Sequence, residues 1–254
     1  MKIKLKHGIT LIKGTVLRTN GYFILDTGAP GVILNNRYFK GGEPSDLEIS
    51  TIFTEISDIK DLGTIAVTLN EETQQACECI TTDLRDPERA LKVKLLGIIG
   101  YTFLKNFVVS CDYKRKEIIF SRVPLETKLK PNPLTIDDHF LIVEGTLNGT
   151  KVPACFDTGA NICLFSEKLN KSDNIIVTVH KKVRALSTSE TKEKMGISIV
   201  KDLNFFGVNE KKTIGVFSDF FLDNEAIKFD CIIGYSYFKR KRFIIDYLNK
   251  TIYM

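Results

Sequence analysis

Long apolar runs are missing from this 254-residue chain. None approaches the length of about 18 residues that a membrane-spanning helix needs. The segment from Met1 to His7 alternates apolar with basic or polar residues, and no apolar core of a signal peptide follows it. We therefore predict no membrane span and no signal peptide in the sequence as given. A leader removed upstream would be consistent with the same residues, so the compartment stays open.

The chain also lacks the residue patterns of metal sites and of serine hydrolases. Its three histidines, His7, His139 and His180, are scattered, and the Cys-Glu-Cys run at Cys77 lacks the two-residue spacer of common zinc sites. No G-x-S-x-G motif is present, so the sequence offers no nucleophile for an acyl-enzyme. We predict no metal and no organic cofactor.

Six cysteines would allow disulfides, but their positions do not correspond between the two halves of the chain, and several lie in apolar segments that resemble strands. Such cysteines are usually buried free thiols. We therefore predict free, buried thiols at Cys77, Cys79, Cys111, Cys155, Cys163 and Cys231.

The net charge of +5 comes with two basic runs, Lys114 to Lys116 and Lys239 to Arg242. Basic runs can contact phosphates, but neither run is interleaved with aromatic residues on which bases could stack. We predict solvated surfaces and no nucleic-acid partner. A phosphate-binding or nucleic-acid-binding β protein is the alternative that rests on these runs.

The tetrapeptide Asp-Thr-Gly-Ala occurs twice, at Asp26 to Ala29 and at Asp157 to Ala160, with an offset of 131 residues. The run Ile-Ile-Gly-Tyr also occurs twice, at Ile98 to Tyr101 and at Ile232 to Tyr235, with an offset of 134. Landmarks that keep their order in two halves of a chain indicate an internal duplication. We predict two similar lobes, residues 1–123 and 134–254, joined by a proline-containing linker at residues 124–133.

Most other segments read as short strands that are rich in β-branched and aromatic residues. Each half ends in two strands around a polar turn, and a short helix precedes each pair, at Tyr101 to Asn106 and at Tyr235 to Arg240. The predicted fold is therefore mainly β and bilobal. The predicted strands include Ile9 to Val16, Tyr22 to Leu25, Thr64 to Leu69, Leu141 to Leu147, Lys151 to Phe156 and Phe243 to Asp246.

The repeated Asp-Thr-Gly predicts a pair of carboxyl groups that do acid–base chemistry. A strand that ends in this tripeptide can present its aspartate at a tight turn, where Gly28 and Gly159 permit close approaches that a Cβ would forbid. Two carboxyls about 3 Å apart share one proton, as in the aspartic proteases that are the standard example of this effect. We predict that Asp26 and Asp157 form such a dyad.

These residues resemble the retropepsin-like aspartic peptidases, and the resemblance covers nearly the whole chain, including tails similar to those of bacterial members. It implies a bilobal fold of two β-barrel lobes. It also implies that the apolar-apolar-Gly strands pass beside the catalytic turns in a ψ-shaped arrangement, a role that falls to Ile99, Gly100, Ile233 and Gly234.

The resemblance further implies that Thr27 and Thr158 interlock at the base of the dyad. Alanine follows each Asp-Thr-Gly, as in retroviral-type enzymes, and removes a hydroxyl that could bond the outer carboxylate oxygen. Losing a donor to the charged form raises the apparent pKa of a carboxyl pair. We therefore expect activity at mildly acidic to near-neutral pH.

Family members cover the substrate with a β-hairpin flap. The matched pairs Leu62-Gly63 and Met195-Gly196 put the two candidate tips near residues 54–60 and 187–191. Neither tip has the glycine-rich sequence of retroviral flaps or the flap tyrosine of pepsins. The candidate flap residues are Glu55, Ile56, Ser57, Ser187, Thr188 and Ser189.

The function predicted from the sequence is that of an aspartic endopeptidase, in which Asp26 and Asp157 activate a water molecule against a polypeptide held between the lobes. One chain carries both aspartates, so we expect a monomer to be catalytically complete. The alternative from another class is a catalytically silent peptide-binding or protein-binding module on the same fold.

Overall fold

A computed structural model of the chain describes residues 1–45, 49–51, 54–56, 58–71, 73–182, 194–221 and 227–254. The fold is mainly β. The first half contains the strands β1 (Lys4–Lys6), β2 (Ile9–Val16), β3 (Thr19–Leu25), β4 (Val32–Asn35), β5 (Glu43–Pro44), β6 (Ile49–Thr51), β7 (Thr54–Ile56), β8 (Lys60–Asn70), β9 (Thr73–Thr82), β10 (Leu95–Ile99), β11 (Val108–Asp112) and β12 (Glu117–Ser121).

The second half continues with further short strands. They are β13 (Pro131–Pro133), β14 (Thr135–Asp137), β15 (Phe140–Leu147), β16 (Thr150–Phe156), β17 (Cys163–Ser166), β18 (Ile175–Lys182), β19 (Lys194–Val200), β20 (Leu203–Phe205), β21 (Val208–Glu210), β22 (Thr213–Ser218), β23 (Cys231–Ile233), β24 (Arg242–Asp246) and β25 (Thr251–Tyr253). The helices are α1 (Arg85–Leu91), α2 (Tyr101–Leu104) and α3 (Tyr235–Phe238), and 3₁₀ turns lie at Glu167–Leu169, Ser172–Asn174 and Asp219–Phe221.

Six strands of the first half close into a barrel, in the order β2-β3-β10-β4-β9-β8. Closure comes from β8, which pairs back onto β2 through Thr68 opposite Thr15 and Val67 opposite Val16. The interior is filled by apolar side chains such as Ile12, Phe23 and Leu34, each fully buried. Closure leaves these six strands no free edge within the barrel.

The second half repeats the order of the central strands, as β15-β16-β23-β17-β22. Here the strand that would close the barrel is broken into β19 and β20, and the sheet is a half-barrel. The break includes Asp202, whose φ of +51° interrupts the extended backbone. Aspartate visits this left-handed region more readily than most residues, so the sequence tolerates a break at this position.

Strands from both halves form a third sheet, in the order β12-β11-β24-β25-β13. Its central pair, β11 and β24, is antiparallel, with Cys111 opposite Phe243. Beside it, the ring of Phe243 lies 4.9 Å from that of Phe156 and 5.9 Å from that of Tyr113, measured between centroids. An aromatic cluster with members from both halves therefore packs against the shared sheet.

The mainly β fold class predicted from the sequence, with a short helix after each Ile-Ile-Gly, is confirmed. All six cysteines are free and buried, which confirms the prediction of buried thiols. The elements that the sequence analysis missed include helix α1, the long strand β9, and the strands β17 and β22 of the second half. The predicted linker at residues 124–133 needs a correction, because Pro131–Pro133 forms strand β13. This strand lies at a sheet edge, where proline costs no hydrogen bond within the ladder.

The aromatic cluster predicts a large effect on stability. Phe243 is fully buried, and its truncation to alanine removes contacts from both halves at once. We expect Phe243→Ala to lower the free energy of unfolding by about 3–5 kcal/mol, measured by urea denaturation. Leu248→Ala is the control, because Leu248 is 79% exposed and its loss should change stability by less than about 0.5 kcal/mol. Equal effects of the two substitutions would contradict this account of the core.

Candidate active site

Each aspartate of the repeated motif directly follows a strand that pairs in parallel with a neighbouring strand. Strand β3 runs beside β10, and β16 runs beside β23. At the ends of these pairs the Asp26 amide donates to the Ile99 carbonyl at 3.0 Å, and the Asp157 amide donates to the Ile233 carbonyl at 3.1 Å. Each aspartate is thus the first residue after a buried strand, held by the strand beside it.

The threonines of the two motifs interlock across the halves. The Thr27 amide donates to Oγ1 of Thr158 at 3.1 Å, and the Thr158 amide donates to Oγ1 of Thr27 at 3.0 Å. Each hydroxyl then donates onward, from Thr27 to the Phe156 carbonyl at 2.8 Å and from Thr158 to the Leu25 carbonyl at 2.9 Å. Both side chains are buried, so these four bonds are shielded from water and fix the two turns against each other.

The glycines of the motifs make room for the carboxyl groups. A Cβ added to Gly159 would lie 2.3 Å from Cγ of Asp26, and one added to Gly28 would lie 2.9 Å from Cγ of Asp157. Real Cβ atoms do not approach other atoms this closely. Each carboxyl therefore packs over the glycine of the opposite turn, and only glycine allows this arrangement.

The two carboxyl groups are close enough that each affects the pKa of the other. Each also accepts a backbone bond from its own turn, from the Gly28 amide to Oδ1 of Asp26 at 2.9 Å and from the Gly159 amide to Oδ1 of Asp157 at 2.7 Å. Both aspartates are half-buried residues, so the pair is neither sealed from solvent nor fully hydrated. The dyad predicted from the sequence is brought together in space.

The environment favours a shared proton. Burial raises the pKa of Asp26 well above its ordinary value, and the nearby charge of Asp157 and the bond to it raise this pKa further. Burial also raises the pKa of Asp157, but the bond from Asp26 and the backbone amides of Gly159, Ala160 and Gly28 oppose that rise. The close approach of the two carboxyls therefore favours a single proton that the pair holds jointly.

The Ile-Ile-Gly segments pass tightly behind the two turns. A Cβ on Gly100 would lie 2.4 Å from the carbonyl oxygen of Ala29, and one on Gly234 would lie 2.5 Å from that of Ile162. Directly after them, the Tyr101 amide donates to Ala29 at 2.9 Å and the Tyr235 amide donates to Ala160 at 2.8 Å. The first turns of α2 and α3 are thereby tied to the turns that carry the aspartates.

The candidate flap residues are placed only in part. Glu55 and Ile56 belong to β7, which pairs with β6 in a two-stranded hairpin. The other candidates, Ser57, Ser187, Thr188 and Ser189, lie outside the described residues. The last three fall between β18 and β19, which pair antiparallel on either side of the gap. The flap assignment stays a prediction.

Two buried tyrosines, Tyr113 and Tyr247, belong to the repeated Asp-Tyr and were assigned no role in the sequence analysis. The charge of Asp157 contributes to raising the pKa of Tyr113, and that of Asp26 contributes to raising the pKa of Tyr247, although burial is the main cause for both. The Tyr113 hydroxyl bonds Oγ1 of Thr10 at 2.8 Å. The Tyr113 ring packs on those of Phe238 and Phe243, and the Tyr247 ring packs on that of Tyr101.

The described part of the chain contains no group of three or more histidine, cysteine or acidic side chains placed to hold a metal ion. Within the same ranges no helix has the length and apolar character that crossing a membrane requires.

Comparison with known proteins agrees with this geometry. Residues 143–237 match the family model described as aspartyl protease, a range that includes Asp157 and the second Ile-Ile-Gly. The match supports an aspartic-protease-like family and a protease-type function for the chain. The chain is also 29% identical to part of the intermembrane lipid transfer protein vps13D of Dictyostelium discoideum. That similarity spans 43% of this chain and 3% of the relative.

The raised pKa of Asp26 predicts a stability change with a defined sign. The folded protein binds a proton more tightly than the unfolded chain, so stability falls as pH rises from the ordinary aspartate value through the raised one. We expect Asp26→Asn to be more stable than the parent near neutral pH, because asparagine carries no charge that must be buried beside Asp157. The gain should shrink as pH falls towards about 4.

The measurement is urea denaturation of both proteins across this pH range. Asp173→Asn, at an exposed aspartate away from the site, is the control and should show no such gain. A substitution at Asp26 that destabilises the protein equally at every pH would show that the buried charge carries no cost.

The threonine interlock predicts a second effect. Thr158→Val keeps the shape but leaves the Leu25 carbonyl and the Thr27 amide without their buried partner. We expect a loss of about 2–4 kcal/mol in the free energy of unfolding, since each buried group left unpaired costs about 1–3 kcal/mol. Thr158→Ser retains the hydroxyl and should lose only about 1 kcal/mol. Equal losses would mean that the methyl group, and not the hydroxyl, stabilises the turns.

Proposed function

We propose that the chain is an aspartic endopeptidase in which Asp26 and Asp157 act on a water molecule held between them. The observation that carries the proposal is the interlocked pair of Asp-Thr-Gly turns. These turns hold the half-buried carboxyls of Asp26 and Asp157 so close that they affect each other's pKa. A structural role alone would not require two ionisable groups there, since burying them together is unfavourable.

The proposed reaction begins with one proton on the pair. Asp157, ionised, takes a proton from water as the water oxygen attacks the carbonyl carbon of the scissile peptide bond. Asp26 gives its proton to the carbonyl oxygen, which forms a tetrahedral diol. The diol collapses when the proton now on Asp157 passes to the leaving nitrogen, the carbon–nitrogen bond breaks, and Asp26 recovers a proton from the diol.

The pH dependence follows from the shared proton. Activity requires the singly protonated pair, so it falls both below the lower apparent pKa and above the upper one, and both values belong to the pair. Burial raises both carboxyl pKa values, and no hydroxyl side chain follows either glycine. We therefore place the activity at mildly acidic to near-neutral pH.

We also propose that the two halves are lobes related by internal duplication, at residues 1–123 and 134–254, with the substrate between them. The repeated strand order β3-β10-β4 and β16-β23-β17 supports this organisation. A single chain supplies both aspartates, so a monomer is sufficient for catalysis in this scheme. The proposed flap tips are near residues 54–60 and 187–191, with Glu55, Ile56, Ser57, Ser187, Thr188 and Ser189 as the candidate residues.

The test is cleavage of an unbiased peptide mixture between about pH 4 and 7.5, read by mass spectrometry, the range in which a shared-proton pair with raised pKa values is active. We expect Asp157→Asn and Asp26→Asn each to abolish cleavage and Asp173→Asn to leave it unchanged. Inhibition by pepstatin would classify the cleft further.

Cleavage that persists in either dyad variant would contradict the shared-dyad mechanism. A folded parent protein that cleaves nothing at any pH would instead favour a silent peptide-binding module on this fold.

A further inference from the structure

The two basic runs of the sequence, which the proposed reaction does not use, come together at one end of the shared sheet. Strands β11 and β24 are antiparallel with Asp112 opposite Arg242, and the Tyr113 amide continues the pairing by donating to the Lys241 carbonyl at 3.0 Å. Lys114, the start of the first basic run, directly follows Tyr113. Arg240, in the second run, directly precedes Lys241. Runs that are more than 120 residues apart in sequence thus become neighbours.

The N-terminal segment lies at the same end of the shared sheet and contributes a further lysine. Lys2 forms a bridge with Glu117, and the Ile3 amide donates to the Lys116 carbonyl at 3.0 Å. The resulting group, here called the basic cluster, has eight cationic residues, and three acidic residues, Asp112, Glu117 and Glu210, accompany it. This surplus of five equals the net charge of the whole chain. The cationic members are Lys2, Lys114, Arg115, Lys116, Lys239, Arg240, Lys241 and Arg242.

The acidic neighbours neutralise only part of the cluster. Glu117 pairs with Lys2 at 2.8 Å, Glu210 pairs with Lys241, and Asp112 lies 4.0 Å from Arg115. Five cationic members remain. Arg242 donates to Oγ of Ser110 at 3.4 Å, and the other four, which lie outside β24, are exposed and form no ion pair within the described ranges of the chain. These four free cations are Lys114, Lys116, Lys239 and Arg240.

The surroundings of the cluster favour one kind of anionic partner. Its aromatic neighbours Tyr113, Phe238 and Phe243 are buried, so they offer no platform on which unpaired bases could stack. Helix α3, which ends at the cluster, has four residues and is too short to read a groove. Ile119 is 49% exposed and lines a groove with Arg115 and Arg242, and the acidic Asp112 and Glu117 line the same groove. The cationic surface thus has an apolar side chain at its margin.

We propose that the basic cluster is a docking surface for a membrane that contains anionic phospholipids. Such a surface attracts clustered lysine and arginine side chains without requiring a matched shape, and each cation near it contributes about a fivefold gain in binding. Four free cations then give a gain of several hundredfold that salt weakens. None of these residues lies in the turns that carry Asp26 and Asp157, so docking and cleavage are separable.

The test is co-sedimentation of the 254-residue chain with vesicles of phosphatidylcholine, with and without phosphatidylserine. The cluster variant replaces all four free cations by glutamine, at Lys114, Lys116, Lys239 and Arg240. The matched control replaces four exposed lysines elsewhere, Lys13, Lys40, Lys151 and Lys171, and so has the same net charge. Circular dichroism checks the folding of each protein.

We expect the parent and the control variant to bind phosphatidylserine vesicles at low salt and the cluster variant to lose at least about a hundredfold in affinity, close to the summed effect of its four charges. Equal losses in the two variants would mean that net charge, and not the cluster, causes binding. Absence of binding, or equal binding to phosphatidylcholine alone, would overturn the proposal. Binding of a single-stranded oligonucleotide that the cluster variant loses, without vesicle binding, would reassign the surface to nucleic acid.

Discussion

The buried hydrogen bonds between Thr27 and Thr158 fix the two halves against each other. Each hydroxyl accepts a bond from the amide of the opposite threonine and donates to the last carbonyl of the strand that leads into the opposite turn, so the two turns hold each other in one position. The two carboxyl groups lie close together because this network of four bonds fixes the two turns. Its bonds are buried, and an error of an ångström in the fit of the halves would leave several polar groups unpaired at once.

Bringing two carboxyls together in a partly buried place is unfavourable, and the protein must offset that cost elsewhere. The shared sheet and the aromatic cluster around Phe243 provide such an offset next to the dyad, with Tyr113 contributed by one half and Phe156 by the other. Stability and chemistry are therefore linked through the same interface.

The halves are alike near the dyad and differ away from it. Both deliver an aspartate from a parallel strand pair, but one forms a closed barrel and the other a half-barrel broken at Asp202. The differences fall in the outer strands, where an insertion or a break disturbs no bond of the interlock. The basic cluster is a further asymmetry, because the second basic run follows α3 and its counterpart after α2 is not basic.

Local sequence patterns were enough to predict many of the strands, the short helix after each Ile-Ile-Gly, and Asp26 and Asp157 as the candidate site. Alternating and β-branched segments predicted strands such as Ile9–Val16 within a residue of their ends, because pattern and propensity agree there. Helix α1 was missed because its seven residues include Pro87, which local patterns treat as a breaker. The tertiary structure was needed to show that the carboxyls of Asp26 and Asp157 each pack over the glycine of the opposite turn, and that two distant basic runs adjoin. Each of these facts depends on non-local strand pairing, which no local sequence pattern encodes.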